Sequence, residues 1–352
     1  MVTNLRIALV LAVVLAASGC GTLYVAQAAQ GQLQILTARR PIERVLANPD
    51  TDAELRRRLQ TVREARAFAS AELALPDNKS YTTYADLDRE FVVWSVVATP
   101  EFSVEPHEWC FPIAGCVAYR GYFRERRAEK FAARLEARGF DVIVGGVPAY
   151  STLGKFSDPI LNTMMIYGDD ELASTLFHEL SHQLVYIPDD SSFNEAFAVT
   201  VEREGLARWL TSRGRAADLA KYEKRRQMQR ENMRIVGRYR QQLAALYRSG
   251  AAAVDMRARK AMIFARLIEE VRERDARAQV KSGLASALEG PPNNARLASL
   301  STYFDCVPGF ERVLAEQDHD LPRFYAAVRE LARLPRAERR ARLCSSEVPR
   351  NE

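Results

Sequence analysis

Five residues place the tightest constraint on how this chain can fold. His178-Glu179-Leu180-Ser181-His182 sets two histidines four positions apart, and that spacing brings both imidazoles to one face only if the segment is α-helical. On such a helix Glu179 is displaced around the axis, toward a water held by an ion that the histidines share. The sequence has only four histidines, so the pentad carries half of its imidazoles. Asp169-Asp170 open the predicted helix, which must end before Pro188 because proline disfavours helical geometry in the residue preceding it. A second helix is expected from near Ser192 to Leu210.

Two histidines leave a metal site incomplete. Val185 and Pro188 stand where the metzincin spacing needs glycine and a third histidine, which leaves a carboxylate from the next helix as the common remaining solution. The segment Phe193-Asn194-Glu195-Ala196-Phe197-Ala198-Val199-Thr200-Val201-Glu202-Arg203-Glu204-Gly205 resembles the N-E-G-F-A-x-x-V-E-x-x-G stretch of the aminopeptidase N family. That resemblance implies Glu195 as third ligand and Glu202, seven residues later on the same helix face, as an acid able to fix a ligating imidazole's tautomer. Glu195 has a competing structural use, because Ser192-Phe193-Asn194-Glu195 is also an S-x-x-E capping box. The likeness covers only Leu176 to Gly205, and the family's G-x-M-E-N exopeptidase signature is absent.

The N-terminus reads as an export signal. Arg6 precedes an apolar run from Ile7 to Ala17, and Ala17-Ser18-Gly19-Cys20 follows as a lipobox. The run is too short to span a bilayer as a stable helix, so residues 1–19 are expected to be a lipoprotein signal peptide and Cys20 the lipidated N-terminus. Export moves the chain to an oxidising compartment, where the remaining Cys110, Cys116, Cys306 and Cys344 are expected to pair. Of the three connectivities, local pairing as Cys110–Cys116 and Cys306–Cys344 is the expectation; none of these cysteines has zinc-finger spacing.

The rest of the sequence supplies a scaffold. Residues 23–75 carry helical periodicity, with Thr51 or Asp52 able to cap a second helix. From Tyr81 to Tyr122 short β-rich runs appear, notably Phe91 to Val97 and Val117 to Tyr119. They are followed by a charged helix over about 124–138 and a strand from Phe140 to Gly145. Ala149 to Gly154 reads as another strand or an edge. Ala216 to Lys281 is almost wholly helical with a Ser249-Gly250 break, which suggests a long antiparallel hairpin. The expected fold is α+β and predominantly helical: a zincin-like core with a small β-sheet and a long helical hairpin. Its single domain, 20–352, divides into N-terminal helices (20–75), sheet and metal-site helices (76–210) and a helical C-terminal part (211–352). The net charge of +5 comes from 50 basic and 45 acidic residues interspersed along helices, the pattern of solvated faces, and no nucleic-acid partner is expected.

The whole chain is similar to a family of proteobacterial lipoproteins described as putative aminopeptidases. The likeness rests on the lipobox, Cys110-Phe111-Pro112, Val117-Ala118-Tyr119-Arg120-Gly121-Tyr122-Phe123, Ala149-Tyr150-Ser151-Thr152-Leu153-Gly154, Asp158-Pro159 and the histidine and glutamate motifs. It implies a periplasm-facing lipoprotein of a Gram-negative envelope, in the outer membrane. It also implies one zinc ion held by His178, His182 and Glu195, with Glu179 as general base and a peptide substrate. The Asn293-Asn294-Ala295 to Tyr303 stretch makes Tyr303 the candidate oxyanion donor with Tyr150 behind it, and Tyr150, Ser151 and Thr152 form the substrate's edge. Two other classes stay open: a scaffolding envelope lipoprotein with a degenerate site, and zinc hydrolysis of a non-peptide carbonyl.

Overall fold

The computed structural model describes residues 19–111, 115–304 and 306–344. The expected signal peptide lies outside them up to residue 18, as does the side chain of Cys20, whose backbone sits in the first helix. Helices account for 61% of the structure, accompanied by small sheets, so the predominantly helical α+β expectation holds. Among the described residues no helix is long and apolar enough to cross a membrane.

The N-terminal part consists of α1 (Gly19–Ala38), a short β1 (Arg39–Pro41), α2 (Ile42–Ala47) and α3 (Ala53–Glu72). Of the two capping candidates before α3 the helix uses Asp52, whose carboxylate accepts from the N–H groups of Glu54 and Leu55 at 2.9 and 3.0 Å.

The β region divides into three small sheets. β2 (Thr83–Ala85) pairs antiparallel with β1 and parallel with β8 (Ile160–Leu161). A second sheet has β3 (Val93–Pro100) between β6 (Arg120–Tyr122) and β7 (Phe140–Val147), all antiparallel. The third is a hairpin of β4 (Trp109–Phe111) and β5 (Gly115–Val117), in which Cys110 lies directly opposite Cys116. The charged helix α4 (Glu125–Glu136) lays Ala128, Ala132 and Leu135, one face at helical spacing, on the β3 sheet with Val96, Ala98 and Val142. Ala149 to Gly154 forms no strand, in contrast to the expectation. Its backbone wraps the Asp158 carboxylate, which takes the Thr152 N–H and hydroxyl at 2.8 Å each, and the ladder is replaced by side-chain bonds.

Behind the sheets come α5 (Asp169–Ser181) and α6 (Ser191–Ser212). α6 buries residues on all its faces, from Phe193 and Phe197 to Trp209, the pattern of a helix surrounded by its neighbours. Gly205 permits the closest approach: a Cβ there would lie 2.8 Å from Leu73 and from Phe177. The predicted hairpin is present as α7 (Ala216–Tyr247) and α8 (Ala253–Arg277). Its antiparallel register is marked by Tyr239–Glu270 at 2.9 Å and by the buried Arg274–Asn232 pair. A short α9 (Leu284–Leu288), α10 (Asn294–Phe304), α11 (Val307–Glu316), α12 (Leu321–Ala332) and α13 (Arg336–Leu343) complete the described residues. The main core joins α3, α5, α6, α11 and α12 around Phe177, Phe197, Phe310 and Phe324, while the hairpin has its own cluster of Ile235, Leu243, Phe264 and Leu267. Both expected disulfides, Cys110–Cys116 and Cys306–Cys344, are formed.

Candidate metal centre

α5 starts with three acidic residues, Asp169, Asp170 and Glu171, which suit the positive end of a helix dipole. The Glu171 carboxylate takes the Gly168 N–H at 3.2 Å. The helix ends at Ser181, and His182 keeps helical dihedrals as its C-cap, so the two imidazoles stay one turn apart on one face. α6 does not use the Ser192 capping box. Its N-cap is Asp190, which accepts from the Phe193 N–H at 3.4 Å. Glu195 is thereby free of capping and turns toward α5.

Three donor atoms converge. His178 Nε2 lies 3.2 Å from His182 Nε2 and 3.4 Å from a Glu195 oxygen, and His182 Nε2 lies 3.9 Å from that same oxygen. In tetrahedral coordination at zinc bond lengths, ligand atoms are separated by about 3.4 Å. Among the described residues this trio is the one group of three such side chains able to share an ion.

The donor chemistry agrees with the spacing. Glu202 holds His178 Nδ1 at 3.0 Å, which places that proton on Nδ1 and leaves Nε2 a lone pair. Two ring lone pairs and a carboxylate then face each other in a site where His182 is 7% and Glu195 15% exposed at the side chain, an arrangement that calls for a cation. The electrostatics of the site show the same demand for positive charge. Burial opposes charge on His178, yet the Glu195 and Glu202 carboxylates hold its pKa well above the ordinary 6.5. Burial lowers His182 to about 4. Burial pushes Glu195 up, but the His178 hydrogen bond and the His182 and His178 charges together hold it below the usual glutamate value. Burial raises Glu179 to about 7, against the attraction of His178 and with added repulsion from Glu195, Asp158 and Glu202.

The other predicted residues are placed less directly. Tyr150 packs edge-on against Phe123 with ring centroids 5.7 Å apart, and burial followed by the Asp158 charge raises its pKa to about 12. Ser151 and Thr152 aim their hydroxyls at Asp158, at 3.5 and 2.8 Å. Tyr303 lies in α10, its side chain outside the described residues. Sequence reasoning passed over two other tyrosines. Tyr119, in the turn between β5 and β6, has part of its ring in solvent, while desolvation and then the charge of Glu195 raise its phenol. Tyr81 is buried below, its phenol raised by burial and then by Glu179 and Asp158. Tyr119 stood within a quoted motif; Tyr81 carried no local signal.

No curated protein and no solved structure matches the chain. A family model described as "Putative aminopeptidase" matches residues 23–343, from the first helix to the last. With His178, His182 and Glu195 brought together inside that span, the chain belongs to the putative aminopeptidase family.

Proposed function

We propose that this protein is a zinc-dependent peptidase of the gluzincin type, acting as an aminopeptidase on peptides in the cell envelope. The observation that carries the reading is the approach of His178 Nε2, His182 Nε2 and a Glu195 oxygen to within 3.9 Å of one another, with Glu202 on the far side of His178. His178, His182 and Glu195 would hold one zinc ion in a zincin-like core. Bound there, zinc supplies a Lewis acid for the scissile carbonyl and activates a water for attack. Glu179, one residue along the same helix, accepts the proton from that water and delivers it to the leaving amine. Glu202 keeps the His178 proton on Nδ1 throughout. Tyr119, whose phenol is raised by burial and then by the Glu195 charge, joins Tyr303 and Tyr150 as a candidate hydroxyl for the developing oxyanion.

The lipobox supports attachment through Cys20 to the periplasmic face of the outer membrane of a Gram-negative bacterium. The two disulfides agree with an oxidising compartment.

The test pairs metal analysis after dialysis with assays on a peptide library, with and without chelator, for the parent and Glu179→Gln. The variant should keep zinc and lose about a hundredfold to ten-thousandfold in turnover. Full activity in Glu179→Gln would remove Glu179 as general base, and full activity in the chelated parent would remove the zinc-dependent mechanism.

A further inference from the structure

Glu195 reaches the histidines through a short connection, residues 182–190, and the conformation of that connection decides where its carboxylate lies. The connection is held at several points. Asn194 folds back on Ile187, accepting its N–H at 2.8 Å and donating to its carbonyl at 2.7 Å. Asp189, at a φ of 67°, accepts the N–H of Cys116 from the disulfide-closed hairpin. Asp190, 2% exposed, caps α6 with one oxygen and offers the other to Arg339. That oxygen accepts from Arg339 Nε at 2.9 Å and Nη2 at 2.7 Å.

Arg339 lies 149 residues away in sequence and is 6% exposed. Its guanidinium covers the Phe193 ring at 5.6 Å and also donates to the Leu334 carbonyl. Helix α13, which carries it, ends at Cys344, joined to Cys306 just ahead of α11. The two helices meet so closely that a Cβ on Gly309 would lie 2.2 Å from the Leu343 carbonyl oxygen. From the same side, Phe310 packs edge-on against Phe193 at 4.9 Å. The first turn of α6 is therefore gripped by a cross-linked C-terminal unit.

We propose that Arg339 is a positioning residue for Glu195: through Asp190 it sets the start of α6, and the Cys306–Cys344 cross-link fixes Arg339 in turn. The proposal rests on reading His178, His182 and Glu195 as a zinc site. Buried ion pairs add little net stability compared with apolar replacements, but two N–H groups on one carboxylate oxygen define an orientation. Metal ligands tolerate displacement of only about half an ångström. Glu195 stands five residues past Asp190, so loosening the cap moves the third ligand while leaving both histidines on α5.

The experiment measures zinc affinity and zinc release for the parent, Arg339→Met, the Arg339→Met/Asp190→Asn pair and the Cys306→Ser/Cys344→Ser pair. Lys260→Met is the control: Lys260 on α8, 4% exposed, forms a buried pair with Asp141 on β7 at 2.6 Å that includes none of the proposed ligands. Arg339→Met should weaken zinc binding about tenfold to a hundredfold, the usual effect of losing a partner behind the ligands. The double variant, which keeps an asparagine cap, should show a smaller loss and the cysteine pair a faster release. Lys260→Met should bind zinc as the parent does, even at an equal loss of melting temperature. Equal zinc affinity in Arg339→Met and the parent, or an equal loss in Lys260→Met, overturns the positioning role. If Arg339→Met does not fold, unchanged zinc release in the cysteine pair does so. A parent that holds no zinc at all overturns the underlying metal-site reading instead.

Discussion

At position 178 two carboxylates meet one imidazole. Glu202 takes Nδ1 at 3.0 Å and a Glu195 oxygen faces Nε2 at 3.4 Å. The two acids thus divide the ring: Glu202 decides which nitrogen keeps its proton, and Glu195 shares the side with the lone pair. Replacing Glu202 with alanine frees the ring to rotate and to change tautomer without touching a donor atom. Glu202→Ala should therefore weaken zinc binding by about tenfold to a hundredfold, measured by competition with a chelating dye, while the fold persists by circular dichroism. Zinc affinity equal to the parent's would show that α5 packing alone orients His178.

The elements that carry these residues are joined by close packing and by buried charge. Gly205 lets α6 approach Phe177 on α5, and an added Cβ would meet Leu73 and Phe177 at 2.8 Å. Gly205→Ala should cost about 1–3 kcal/mol by overpacking, read from denaturant unfolding. Glu311 on α11 ties α6 to the hairpin, accepting from Arg203 and from Arg226 at 2.8 Å each. Burial alone would raise its pKa, but the two guanidinium groups hold it below the ordinary 4.5. With a depressed folded-state pKa, the stability it contributes is present above the ordinary glutamate value and is lost as the pH falls through the folded value. Glu311→Gln should accordingly show a weaker fall in stability below about pH 4.5 than the parent, followed by melting temperature across an acid series.

For the molecule as a whole the disulfides close loops of very different size. Cys306–Cys344 spans a sequence separation of 38 and Cys110–Cys116 one of 6. By loop-closure entropy their removal should cost about 4 and about 2 kcal/mol respectively. Denaturant unfolding of the two double-serine variants, compared with the parent under non-reducing conditions, checks this ranking. An equal cost for both would mean that the local hairpin stabilises through its docking at Asp189 as much as through chain entropy.

The sequence by itself determined whatever depends on periodicity and short-range chemistry. The four-residue spacing of His178 and His182 needs only a helix, Asp52 reaches N–H groups two and three residues ahead, and the Ser249-Gly250 break turns one helical tract into a hairpin. Both cysteine pairings agreed with the expectation of local partners. Tertiary structure decided what local patterns left ambiguous. The S-x-x-E stretch at Ser192 could have capped α6 with its own residues, but Arg339 holds Asp190 in the capping place, and Glu195 is released toward the histidines. Asp158 likewise gathers Ser151 and Thr152 into a loop where a strand or an edge was expected. The reasons differ in range. The Asp158 bonds act over six and seven residues, where side-chain acceptors compete with the strand ladder that the local period describes, whereas the start of α6 rests on a pair 149 residues apart, which leaves no pattern in either segment.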